Sequence, residues 1–189
     1  MTATTYVLIA IAAIVLIAIF SFNRLVALRQ AWKRAFSDID VQLKQRHDLI
    51  PNLVETVKGY AAHESGVFTK VTEARAAAMS ASTPAQRSAA EGALTSAIGS
   101  LMAVAENYPQ LKANQNFMQL QSDLSDIENK IAAARRFFNN AVAEYNTAIG
   151  QFPGALFAGM FGFQPAEMFQ VDASEQAAIK EAPKVSFSN

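Results

Sequence analysis

Apolar positions dominate the start of this chain and then thin into stripes. From Tyr6 to Phe22 (YVLIAIAAIVLIAIFSF) no side chain is charged, and the first charged side chain is Arg24. The run is apolar all round, about 17 residues or roughly 25 Å at 1.5 Å per residue, which predicts a transmembrane helix rather than a buried core helix. Met1–Thr5 lacks the basic residues of a secretory signal, and Val15–Asn23 offers no convincing cleavage site, so the span is expected to be retained. Leu25, Leu28, Trp32, Phe36, Ile39 and Leu43 then form a stripe with no Gly or Pro before Pro51. The spacing predicts that the helix continues from the membrane as a rod.

The stripe goes on through Ile50, Val54, Val57 and Ala61. At the turn where it should hold another apolar residue stand Arg46, His47 and Asp48, and Pro51 follows. Proline has no N–H to donate and biases Ile50 away from helical angles, so a kink or restart is expected here. Asn52 with Glu55 three residues on could cap the restart. A second helix is then expected through Val57, Tyr60, Val67, Val71 and Ala74 to about Ala81, weakened at Gly59 and Gly66. Ser82-Thr83-Pro84 supplies a loop with a proline at the start of a third helix. That helix, Ala85 to about Asn107, has a thin stripe: Ala90, Leu94, Ala97, Leu101, Val104 and Tyr108. Tyr108-Pro109 stops it.

The most regular element comes last. Phe117, Leu120, Leu124, Ile127, Ile131, Ala134, Phe138, Ala141, Tyr145 and Ala148 alternate steps of three and four. This reads as a bundle helix or a coiled-coil seam. Gly150-Gln-Phe-Pro153 ends it, and Gly154–Phe163 (GALFAGMFGF) is apolar but too short to span a bilayer. Two readings stand for that run. It is a strap closing the end of the bundle, or a docking surface for another subunit or the membrane face, carried by Phe157, Phe161 and Phe163. The tail from Val171 to Asn189 is polar and aperiodic, and is expected to be mobile. The expected divisions are thus 1–23 anchor, 24–150 bundle, 151–170 closing segment and 171–189 tail.

The run Ile39-Asp-Val-Gln-Leu-Lys-Gln-Arg-His-Asp-Leu-Ile-Pro-Asn-Leu-Val-Glu-Thr-Val-Lys-Gly-Tyr60 resembles the LemA family of bacterial membrane-anchored helical proteins. Ser100–Ala113 resembles a second signature of that family. Glu128, Ile131, Ala134, Arg135, Asn139, Val142, Tyr145 and Asn146 match a third, with Phe138 where the family more often has Tyr. The resemblance names a family and not a reaction. Because LemA relatives in magnetosome-forming bacteria are linked to membrane compartments, it implies a membrane-organising role.

Composition narrows the function classes. The chain has 189 residues and formal charge zero, with 16 basic and 16 acidic side chains, so a nucleic acid is not an expected partner. It has no Cys, which excludes disulfides, thiolate sites and a lipidated cysteine. Alanine is abundant and Gly and Pro are few, which favours helix nearly throughout. Arg24, Arg29, Lys33 and Arg34 follow the span and no Lys or Arg precedes it. By the positive-inside rule the bulk is expected in the cytoplasm of a bacterium, with the N-terminus across the inner membrane; a periplasmic bulk domain is the alternative. Tyr6 could anchor the outer interface, while Trp32 could be an anchor or core.

No phosphate loop, HExxH or nucleophile elbow is present. The best polar constellation is Arg46, His47, Asp48, Asn52, Glu55, Lys58, His63 and Glu64. Glu55 and His63 lie about 12 Å apart along a helix, too far to share one ion unaided. The favoured reading is a solvated face with ion pairs such as Glu55 with Lys58; a partner or subunit contact through Arg46, His47, Asp48, Asn52 and Glu55 is the other. Arg135 and Arg136 could bind anionic groups, but beside Ala134 and Phe138 of the seam they are expected to border the core. The pattern predicts an all-α protein, its transmembrane helix continuing into an antiparallel bundle of about four helices. No catalytic, cofactor or metal residues are assigned. The expected role is a non-enzymatic scaffold contacting the lipid bilayer, self-assembling as a homo-oligomer. The alternative is a regulatory adaptor coupling the membrane to a foreign cytoplasmic protein.

Overall fold

The computed structural model describes residues 2–169. They form six helices: α1 (Ala3–Lys58), α2 (Ser65–Ser80), α3 (Pro84–Glu106), α4 (Pro109–Lys112), α5 (Gln115–Gly150) and α6 (Gly154–Ala158). No strand occurs among the described residues. The polar tail expected at 171–189 lies outside them. Two compact units result, one from 1–46 with 123–168, the other from 47–122 with Phe169.

In the first unit, α1 and the second half of α5 run antiparallel. Trp32 stacks edge-on to Phe138 at 6.3 Å between ring centroids and lies 6.2 Å from Tyr145, while Phe36 meets Phe138 at 5.6 Å. Rising numbers on α1 thus meet falling numbers on α5. Leu25, Ile39, Leu43, Leu124, Ile127, Ile131, Phe138, Tyr145 and Ala148 are buried, as the two stripes predicted. A fully buried aromatic such as Phe138 contributes about 1.5–3 kcal/mol by burial alone, and each ring pair about 0.5–1.5 kcal/mol more. N-terminal to Leu25, the large apolar side chains of α1 face outward: Leu16 is 67% exposed and Phe20 71%.

The second unit packs the last turns of α1 with α2, α3, α4 and the start of α5. Its core includes Ile50, Leu53, Val57, Phe68, Val71, Leu94, Ile98, Leu101, Leu111 and Phe117. α3 begins on a capping box: the Thr83 hydroxyl accepts from the Gln86 N–H at 3.2 Å, and Pro84 takes the first turn. That start agrees with the sequence. α3 is also apolar and long enough to cross a membrane by length and composition, but its apolar stripe is core.

The helix restart expected at Pro51 is absent. α1 carries Pro51 inside a continuous helix, and the chain turns only at Gly59–Glu64. Asn52 therefore caps nothing; its carbonyl accepts from the Thr56 hydroxyl at 2.7 Å within the helix. The physical reason lies on α2. In a helix the N–H of position 51 would donate to the carbonyl of His47, and proline has no such proton. Arg75 supplies the missing donor, its Nε–H meeting the His47 carbonyl at 2.7 Å. The second helix accordingly starts at Ser65, not at Pro51.

Candidate functional site

Arg46 and His47, which interrupt the apolar stripe of α1, are not on a solvated face. Arg46 is 1% exposed, and its Nη1 donates to Glu128 Oε1 of α5 at 2.7 Å within the first unit. His47 is also buried, with Nε2 2.8 Å from Oε1 of Glu91, which is wholly buried on α3 within the second unit. Burying a charged group costs free energy unless a partner with good geometry offsets it. These interruptions are thus structural, and neither side chain is available as an exposed contact. The rest of the constellation stays on the surface. Asp48, Asn52, Glu55, His63 and Glu64 are exposed, and Glu55 and Lys58 approach at 3.6 Å, in the expected i, i+3 pair. A pair so exposed contributes about 0–1 kcal/mol.

Glu91 was missed by sequence reasoning. It stands on the buried face of α3 with Ser88, Leu94, Ile98 and Leu101, where the periodicity placed only apolar residues. A carboxylate on an apolar stripe and a histidine on another were both visible signals. Their pairing needed the fold. Among the described residues no group of three or more His, Asp or Glu is arranged to hold a metal ion.

The second cluster lies where α1 leaves its outward-facing apolar run. Leu25, Tyr145, Ala148, Ala158 and Phe163 form one buried cluster, with Val26, Leu28, Trp32, Ile149 and Ala166 around it. α6 and the chain after it lie against α1 and α5, held from both sides. Asn146 on α5 donates through Nδ2 to the Ala166 carbonyl and accepts from the Ala166 N–H through Oδ1, both at 2.9 Å. Gly154 sits so close to α5 that a Cβ there would collide with the Ala148 carbonyl. Arg29 places its guanidinium 4.8 Å above the Phe163 ring, a cation–π contact. Burial pushes the Tyr145 phenol above its usual pKa of 10.0, and the nearby Arg29 charge opposes that rise.

The three phenylalanines of the closing segment divide. Phe163 is buried, Phe157 is half-buried and Phe161 is 48% exposed. Leu156 and Met160 face outward on the same segment. Part of the segment closes the first unit, as a strap would. The other part presents apolar side chains. Of the two basic residues expected at the core's border, Arg135 is half-buried and Arg136 exposed.

The sequence profile of the LemA family matches residues 35–187. Magnetosome protein MamQ of Magnetospirillum gryphiswaldense is 25% identical over 174 residues, covering 78% of this chain and 64% of that protein. Magnetosome protein MamQ 2 of Paramagnetospirillum magneticum is 25% identical over 175 residues, with 79% and 64% covered. Protein LemA of Metamycoplasma hominis is 24% identical over 161 residues, with 83% and 72% covered. The chain thus spans somewhat under two thirds of the length of the magnetosome relatives. By length and composition the outward-facing apolar run of α1 is able to cross a bilayer. With the profile matching most of its length, the chain belongs to the LemA family.

Proposed function

We propose that this protein is a non-catalytic membrane scaffold, anchored by α1 and self-assembling through the surfaces of its helical units. One observation carries the reading. Arg46 and His47, the polar residues with most chemical potential in the sequence, are both buried and consumed in pairs with Glu128, at the edge of the first unit's core, and with the buried Glu91. What remains outward is helical surface. In the first unit Phe137 is 62% exposed, and it lines a shallow depression with Ala31, Arg34, Ala35, Ser37 and Asp38. An apolar side chain beside one charge of each sign can meet a second copy of itself. The magnetosome relatives are consistent with a protein that works at a membrane compartment. Arg24, Arg29, Lys33 and Arg34 favour an orientation with the helical units in the cytoplasm.

The test is the mass of the full chain in native nanodiscs and mild detergent, read by light scattering. A discrete oligomer that Phe137→Ser shifts to smaller species is the expected result. A monomer that co-purifies one foreign protein in constant ratio would overturn the scaffold and favour the adaptor.

A further inference from the structure

The first unit carries an apolar surface that its fold leaves uncovered, at the level where α1 emerges from its outward-facing run. Phe22 is the last residue of that run. Its ring meets Phe161 edge-on at 5.0 Å and Phe163 at 5.7 Å. Phe20 and Ser21 on α1 share a small depression with Phe152, Pro153 and Gly154 of the closing segment. The segment therefore lies beside residues of α1 that the membrane reading puts at the edge of the bilayer.

Its side chains are sorted by face. Ala158 and Phe163 turn inward against Leu25 and Tyr145, whereas Phe152 is 77% exposed, Leu156 61% and Met160 79%. The outward set is wholly apolar. From Tyr145 to Ala166 the chain carries no charged side chain at all. Water-soluble surfaces rarely keep such a contiguous apolar patch uncovered. Basic charge lies beside it on α1, and the exposed Glu167 follows the segment. Arg24 lines the same depression and Arg29 lies over Phe163, where long side chains can bury their stems and reach headgroup phosphates.

We infer that Phe152–Phe163 is a lipid-contacting collar, with Leu156, Met160 and Phe161 entering the interfacial layer of the leaflet from which α1 emerges. The inference rests on the reading of α1 as a membrane span and deepens it. Lipid is chosen over a second copy because of continuity. Phe20 and Phe22 touch or share a depression with this segment, so acyl chains packed around α1 already reach its edge. Covering the collar requires no new partner. The apolar face buries side chains as an interfacial amphipathic element does, and the basic residues at its rim suit an anionic headgroup layer.

The absence of cysteine makes the test direct. Single substitutions Leu156→Cys, Met160→Cys, Val15→Cys and Asn129→Cys all fall at exposed positions, so each full-length variant should fold and can be spin-labelled. Asn129 lies about 30 Å before the end of α5 and serves as the aqueous reference. In nanodiscs of phosphatidylcholine and phosphatidylglycerol, collision with oxygen reports lipid and collision with a soluble nickel chelate reports water. Oxygen should dominate at 156 and 160, as at 15, and nickel at 129. Nickel dominance at 156 and 160 with oxygen dominance at 15 would overturn the collar and leave the span intact. Low accessibility to both probes at 156 and 160 would mean protein covers them, which overturns it too. Nickel dominance at 15 would sink the span and the collar together.

Discussion

Arg75 and His47 are joined by a hydrogen bond in which the Arg75 Nε–H donates to the His47 main-chain carbonyl at 2.7 Å. That carbonyl is the one from which Pro51 withholds its helical donor. A side chain from α2 thus lets α1 pass through a proline without ending. Arg75→Met should lower stability by about 1–2 kcal/mol, the cost of leaving a part-buried acceptor unmatched. In a Pro51→Ala background the backbone N–H returns, and the same substitution should cost about 1 kcal/mol less. Urea unfolding in mild detergent measures both. Equal losses in the two backgrounds would sink this account.

The His47–Glu91 pair makes a different prediction. Both side chains are buried, and their bond of 2.8 Å joins α1 to α3. His47→Leu alone should destabilise by about 3–5 kcal/mol, because the Glu91 carboxylate loses this bond in a dry site. His47→Leu combined with Glu91→Met should recover most of that loss, since an apolar pair carries no desolvation cost. If the double variant is as unstable as the single one, the pair does more than offset its own burial.

Tyr145 predicts an alkaline limit. Its folded pKa lies above the value of 10.0 that the unfolded chain would show, so the folded state holds the phenolic proton more tightly. Its contribution is then complete below pH 10 and is lost as pH rises through the raised pKa. Tyr145→Phe should flatten this part of the alkaline decline and leave the profile below it unchanged. Matching alkaline slopes in the two proteins would remove Tyr145 as the cause.

Gly154 and Asn146 hold the closing segment in place. Gly154→Ala forces a methyl group onto the Ala148 carbonyl and should cost about 1–3 kcal/mol as overpacking. Asn146→Ala removes both bonds to Ala166. Hydrogen exchange should then accelerate at Ala166 while protection in α2 and α3 stays at its original level. Uniform loss of protection across the chain would show that Asn146 supports more than this segment.

The heptad-like stripe on α5 and the stripe Leu25–Leu43 were legible because each apolar position has the period of its own helix, whatever it packs against. The start of α3 was legible for a similar reason: Thr83, Pro84 and Gln86 act within one turn. The restart expected after Pro51 did not occur because Arg75, distant in sequence, supplies the donor, and local rules carry no information about a donor on another helix. Arg46 and His47 read as solvated because charge in sequence is judged without its partner. Glu128 and Glu91 lie far along the chain, and only the register of α5 and α3 aligns them. The closing segment was half legible. Its apolarity was plain, but its inward and outward sides depend on where Gly154 and Asn146 pin it.

The first unit is built from two long stretches, whereas the second holds its described residues in one block that Phe169 joins later, and this sets an order of synthesis. Residues 47–122 leave the ribosome as one block, whereas residues 1–46 must wait for 123–168 before their unit can close. At about 5–20 residues per second that delay lasts several seconds. Throughout it the stripe from Leu25 to Leu43 has no α5 to lie against, and it emerges tethered to whatever surface receives α1. The newborn protein is therefore most vulnerable to wrong association at its anchor, and the arrival of residues 123–168 ends the exposure.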